Sequence, residues 1–375
     1  MLPEPRGDVL LGHLPRWAGE PVALLEEGAR LGRVFALRLG VPGVLGFSPE
    51  WNRRFLTDVE AFVSAGSFSR VVPHLAGGVI LTDAPAHAAR RVVLNEPFSR
   101  SRLEVLRERV RRVAWEAQPV GVFDAVAWAD DVVRDALNAV YFGGEFPPAL
   151  LGAFLRPLRL VFPGPMLPRP VLFARVDRVL RRLAERRLRS GGRDDVLGVL
   201  ARVPGGVLEA RVSLAAAHDT TTHALAWAVW FLAGFPEWRR EEGVRPALRE
   251  VLRLFPPGWV GSRRVARDVE FGGCLLRRGS LALYSPFLSG RDERVWNAPL
   301  AFRPQRWERP PPAWSYLPFG GGERTCLGMH LANLILEECL AVFLSGDLTR
   351  VRGEERARPG VTLGPAGPLV VRFRP

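Results

Sequence analysis

The stretch from Gly206 to Gly234, GVLEARVSLAAAHDTTTHALAWAVWFLAG, constrains the fold more than any other part of the chain. Its second half is apolar on every side, without the alternation of a surface helix, so it predicts a helix enclosed on all faces. Pro236 ends it. Such a helix needs a shell, and the chain supplies one. From about Pro85 to Leu200 it runs as Arg-laced amphipathic segments, broken at FGGEFPP and again at FPGPMLPRP. The polar patch AAAHDTTTH in the middle of the enclosed helix needs its own explanation, because an unpartnered buried polar group costs about 1–3 kcal/mol.

The remaining segments are shorter. PVALLEEGARLG has helical spacing, RVFALRLGVPGVLGFSPE reads as two strands around Val41-Pro42-Gly43, and PEWNRRFLTDVEAF reads as a helix. Beyond Gly234 come the helical RPALREVLRLF, a Pro-Pro break, strand-like pieces around VEFGG and SLALYSPF, an extended PLAFRPQRW, a glycine loop, and a helix from about Leu327. Helices outnumber strands, and the strands cluster towards the two ends. The expectation is an α+β fold, mainly α, forming one domain over residues 1–375. The 33 prolines are spread along the chain and punctuate short elements instead of marking a linker.

The net charge of +13 is carried by arginine alone, since the chain has no lysine. The arginines are dispersed and no nucleic-acid motif accompanies them, which argues against nucleic-acid binding and leaves an acidic protein partner compatible. No uncharged apolar run reaches the roughly 18 residues that span a bilayer, and no leader pattern opens the chain. A cytoplasmic protein without a membrane anchor is expected. Cys274, Cys326 and Cys339 are odd in number and far apart, so neither a disulfide framework nor a zinc ribbon is indicated. Cys274 and Cys339 read as packing residues.

Cys326 sits differently, in FGGGERTCLG, Phe319 to Gly328. The glycines permit backbone geometries closed to other residues and close approach to a flat ligand. The N–H groups and dipole of the following helix are expected to favour a thiolate, as metal ligand or nucleophile. The loop lacks the G-K-[ST] ending of a phosphate-binding loop. A buried structural cysteine is the other reading.

The spacing of Phe319, Gly320, Gly322, Arg324, Cys326 and Gly328 resembles, at every position, the haem-binding loop of the cytochrome P-450 family. EVLR, Glu250 to Arg253, is similar to that family's E-x-x-R helix, and FRPQRW, Phe302 to Trp307, to the arginine-bearing segment before the haem loop. The resemblance covers nearly the whole chain. It implies the family's fold, a helical bundle around haem with small peripheral sheets, and no fused reductase domain. It also implies a buried network of Glu250, Arg253 and Arg306; Gln305 and Trp307 stand where the family usually has Glu and Phe.

The same resemblance implies haem b held by Cys326 as axial iron ligand, with Phe319 shielding the sulfur and Gly328 letting the helix start beside the ring. His87 and Arg91 in DAPAHAARR, Arg263 and Arg324 would face the haem propionates, with Arg264 able to exchange roles with Arg263. AAHDTT, Ala216 to Thr221, is similar to the oxygen-activation motif. Asp219 takes the acid position and Thr220 the alcohol position, a pair able to pass protons into an apolar site. Ala217 replaces a common glycine. A metal site on His218 and His223 is disfavoured, because a spacing of five turns them to different helix faces.

By the same resemblance, the pocket would draw on Phe68, Val71, Leu75, Ala216, Ala217, Trp259, Val260 and the turn near Gly364, chiefly apolar residues that suit a hydrophobic substrate of terpenoid, carotenoid or fatty-acid type. EVLRLFPPGWVGSRR is similar to a bacterial branch that hydroxylates carotenoid rings. The implied activity is hydroxylation with O2 and electrons from a separate acidic ferredoxin system. Peroxide-driven oxygenation and donor-free isomerisation or dehydration are the competing activities of such a site.

Overall fold

In a computed structural model, which describes residues 2–65, 72–156, 169–191 and 194–375, the enclosed helix spans Gly206–Gly234. Its apolar second half is walled in: Leu225, Ala226, Trp227 and Val229 have no exposed surface. The helices Ala125–Phe142, Pro170–Arg189, Glu241–Leu254 and Met329–Ala341 pack around it. Trp227 stacks on Phe255 with ring centroids 4.0 Å apart. The helix Ala125–Phe142 has clear local signals at both ends. The Asp124 carboxylate accepts the Val126 N–H at 3.0 Å, and Gly143, at φ 62°, closes the last turn in the left-handed conformation.

The strands form small sheets beside this bundle, giving the mainly helical α+β architecture expected. One sheet runs in the order Val34–Arg38, Pro42–Gly46, Leu281–Tyr284, Gly261–Val265, Phe62–Val63. A parallel pairing within it sets Gly43 to Gly46 against Leu281 to Tyr284. A second sheet places Val370–Arg374 between Gly121–Asp124 and Asp347–Arg352. Two short hairpins, Val269–Phe271 with Cys274–Leu276 and Ala357–Arg358 with Gly364–Pro365, complete the set among the described residues. No helix among those residues is long and apolar enough to cross a membrane.

Four local expectations are corrected. The first hairpin turns over Leu39 to Val41, where Gly40 has φ 76°, and Pro42 already belongs to the second strand. The helix at Pro49–Thr57 stops early, because the Asp58 carboxylate takes the Ala61 N–H at 3.1 Å and redirects the chain into a strand. Gly121–Asp124 is a strand inside the helical region, recruited by Val370–Arg374 from the far end of the chain. The helix after the glycine loop begins at Met329, leaving Cys326 in the loop itself. The break at FPGPMLPRP lies mostly outside the described residues.

Candidate functional site

The glycine loop is held tightly. Gly320 and Gly322 have φ values of 68° and 62°, open to few other residues. A side chain at Gly322 would also drive its Cβ to 2.6 Å from the Leu56 carbonyl oxygen. The Cys326 N–H donates to the Phe319 carbonyl at 2.8 Å and the Thr325 N–H to that of Gly322 at 3.1 Å, so the loop closes on itself. Cys326 is exposed as a residue, yet its thiol is crowded by protein. Burial is the strongest influence on its ionisation. It raises the thiol pKa, against the opposing pull of the Gly328 N–H and the Arg91 charge. The expected spontaneous thiolate is therefore corrected: the desolvation of an anion here outweighs the helix-start donors.

Cationic groups gather around this loop. Arg91, on the helix Ala86–Leu94, donates to the Thr325 carbonyl at 2.9 Å. Arg324 meets Asp83 at 3.2 Å through Nη2, while its Nη1 is buried without a partner among the described residues. Arg263 donates to the Ser64 hydroxyl at 2.9 Å. Strand alternation points Arg264 to the opposite face, so the two arginines do not exchange. His87 is buried among these cations, and its pKa falls to about 4, first through burial and then through Arg324, Arg91 and Arg263. Burial also lowers Arg263 to about 10, with Arg324 repelling it further. Asp83 already accepts the Ser64 and Ala65 N–H groups at 2.6 and 2.9 Å. Asp83, with exposed Glu323 acting only on Arg324, leaves three guanidiniums with a partly buried excess of positive charge, which an anionic ligand would relieve. Haem carries an iron for the thiol and two carboxylates for the cations, and it fits this donor set.

The polar patch of the central helix divides between two faces. Ser213, Ala216, Ala217 and Thr220 remain half-buried while Leu214, Ala215, His218, Asp219 and Thr221 are buried. The spacing of three, one and three makes the half-buried set a single stripe down one side. Thr220 donates to the Ala216 and Ala217 carbonyls at 2.9 and 3.3 Å, bonding back onto its own helix. Asp219 turns elsewhere. Its Oδ2 accepts the Thr362 hydroxyl at 2.8 Å, and that hydroxyl lies 2.9 Å from Nδ1 of His223. The sequence reading missed Thr362, a threonine in the far C-terminal region with no motif around it. His218 approaches Asp130 instead, 3.5 Å from its Oδ1, so the two histidines do face apart. No group of His, Cys, Asp and Glu able to hold a metal ion occurs among the described residues.

Glu250 is the hub of the E-x-x-R network. Its Oε1 accepts Arg253 Nη2 at 2.7 Å, Arg306 Nε at 2.8 Å and the Arg303 N–H at 3.0 Å; its Oε2 accepts Arg253 Nε at 3.0 Å. Trp307 supplies a further bond to Oε2 at 3.1 Å through its indole N–H. The departure from phenylalanine at that position thus adds a donor. Arg253 also donates to the carbonyls of Gly290, Pro299 and Ala301.

The pocket residues divide. Leu75 lies in the turn Pro73–Leu75, which packs on the central helix. Trp259 is corrected out of the pocket: it is buried in a separate core, stacked on Trp17 at 5.9 Å, with its indole N–H on the Gly360 carbonyl. Val260 packs against that same core. Phe68 and Val71 lie outside the described residues.

Known proteins with this pattern are numerous. A family model described as Cytochrome P450 matches residues 244–346, which hold both the Glu250 network and the cysteine loop. Cyclooctatin synthase of Streptomyces melanosporofaciens is 28% identical over 97% of this chain and 94% of its own length. Tryptamine 5-hydroxylase of Oryza sativa subsp. japonica is 29% identical over 91% of this chain and 83% of its own. The crystal structure of CYP175A1 from Thermus thermophilus superposes with a TM-score of 0.80, at 28% identity and 97% coverage of both chains. The retinoic acid-bound cyanobacterial CYP120A1 shares the fold, with a TM-score of 0.85 at 21% identity and 100% coverage of both chains. With the glycine-cradled cysteine, the Glu250 hub and the helical bundle in agreement with these matches, the chain belongs to the cytochrome P450 family of haem-dependent monooxygenases.

Proposed function

We propose that the chain binds haem b, with Cys326 as the residue that would hold its iron, and hydroxylates a hydrophobic small molecule, taking two electrons from a separate acidic ferredoxin. One oxygen atom of O2 enters the substrate and the other leaves as water, with two protons consumed. The observation that carries this reading is exposed Cys326 beside an under-neutralised arginine cluster. Hydroxylation is supported by the name of the plant relative, tryptamine 5-hydroxylase.

Bound haem supplies the activation of oxygen, which its thiolate ligand favours. Cys326 would hold the iron as a thiolate, and metal binding would supply the free energy to offset the burial that raises its thiol pKa. Arg91, Arg263 and Arg324 would hold the two haem carboxylates, with neutral His87 among them as a further hydrogen-bonding group. Phe319 would shield the sulfur, and the start of the helix lies clear of it, since a Cβ at Gly328 would stand 4.0 Å from Sγ. Thr220 holds a hydroxyl on the half-buried stripe, Asp219 holds a carboxyl one residue away, and together they move protons towards it. Ala216, Ala217 and Leu75 give an apolar substrate a surface to lie on and exclude water. The methyl of Ala217 narrows the stripe relative to glycine. Terpenoids, fatty acids and carotenoids are the substrate classes to try, and the cytoplasm is the proposed compartment.

The test is the absorption spectrum of the reduced, carbon monoxide-bound protein. A thiolate-type Soret band in the native protein and its loss in Cys326→Ala are expected. A native spectrum without that band sinks the proposal. Turnover with peroxide alone, and none with a ferredoxin system, would assign the peroxide-driven activity instead.

A further inference from the structure

Three side chains away from the loop form a chain of their own. Asp219 and His223 lie four residues apart on one face of the central helix, and Thr362 reaches both from the segment before the Gly364–Pro365 strand. All three are buried, at 3%, 8% and 8% exposure. A hydroxyl has one proton to give and lone pairs to accept with. Since Thr362 donates to Asp219 Oδ2, the contact at 2.9 Å requires His223 to carry its proton on Nδ1 and donate it to the Thr362 oxygen. Gly364 makes room for this ring, for a Cβ there would lie 2.5 Å from its Cε1. The other carboxyl oxygen, Asp219 Oδ1, is buried with no hydrogen-bond partner among the described residues. A carboxylate oxygen left unsatisfied in a buried site costs stability unless something else uses it.

We propose that Thr362 and His223 are positioning residues for Asp219. They grip the carboxyl group by Oδ2 and leave Oδ1 as the oxygen that accepts and releases the proton passed to the Thr220 side. In each transfer the Oδ1–H bond forms as a proton arrives from water and breaks as the proton leaves, while the contacts at Oδ2 stay made. No electron moves in this step. The inference rests on the reading of Asp219 and Thr220 as the proton-handling pair.

The test compares Thr362→Val, which keeps the shape and loses the hydroxyl, with Thr362→Ser, which keeps the hydroxyl, both as holoenzymes. The readouts are the bound-CO stretching band, the solvent isotope effect on turnover with a surrogate ferredoxin system, and the product formed per electron consumed. The valine variant is expected to shift the CO band, enlarge the isotope effect and lose product yield about tenfold, the scale of a misplaced proton-transfer group. The serine variant should stay within about twofold of the native protein on all three. His223→Gln provides the same comparison if the valine variant does not take up haem, and is expected to lose yield likewise. Native behaviour in the valine variant, or serine losing as much as valine, overturns the proposal. A native protein lacking the thiolate-type spectrum would instead overturn the underlying assignment, and the two failures are told apart by that spectrum.

Discussion

At the scale of single residues, the cation cluster makes His87 the most informative titrating group. Its pKa of about 4 lies below the ordinary value of 6.5, so the folded state favours the neutral ring. The stability this contributes is whole above pH 6.5 and is lost as pH falls towards 4, with a slope of at most about 1.4 kcal/mol per pH unit. Urea unfolding of the haem-free protein across that window should show the decline, and His87→Gln should flatten it. An unchanged slope in the variant would mean that other groups govern the acid limb. Cys326, Arg324 and Arg91 could be picked out in the sequence because a fixed spacing carries them. Thr362 could not, because its partner Asp219 is 143 positions away and only the folded chain brings them to hydrogen-bonding distance.

At the scale of elements, the helix Glu241–Leu254 is anchored by one buried carboxylate serving five donor groups from Arg253, Arg303, Arg306 and Trp307. Glu250→Ala strands buried Arg253 and is expected to cost about 3–5 kcal/mol, read as a fall in the denaturation midpoint and in haem retention. Trp307→Phe removes one donor while Oε2 keeps Arg253, so its cost should stay near about 0.5–1.5 kcal/mol. Equal losses in the two variants would contradict the hub arrangement. The long helix could be read from its apolar run, and its observed ends match the sequence reading because Pro236 and a glycine-rich start bound it. The strand Gly121–Asp124 could not, since its four residues carry little periodicity and its pairing comes from Val370–Arg374. Trp259 failed for a related reason: the family resemblance suggested the pocket, while its stacking on Trp17 and its bond to the Gly360 carbonyl decided its place.

At the scale of the whole molecule, part of the +13 charge sits on a helix packed against the one that follows the cysteine loop. The helix Arg107–Glu116 lies against the helix that follows the loop, where Arg107 and Arg111 both donate to Glu338, with exposed Arg112 beside them. An acidic ferredoxin approaching on this side should reduce the haem more slowly as salt is added, because screening shortens the reach of surface charge to about 8–10 Å near physiological ionic strength. Arg112→Glu should lower the second-order rate about three- to tenfold at low salt and much less at high salt. Stopped-flow reduction that is indifferent to both changes would remove the electrostatic part of the docking argument.

The sheet that pairs Gly46 with Tyr284 also carries a consequence for synthesis. The hairpin Val34–Arg38 and Pro42–Gly46 is made early, but the strand that covers its open edge is translated roughly 240 residues later, on the order of 10–50 s at ribosomal speeds of about 5–20 residues per second. For that interval a row of unpaired peptide groups is available to any neighbouring nascent chain. Yield of the folded protein should therefore depend on expression rate and on chaperone supply, a dependence set by one parallel strand pairing and independent of the haem.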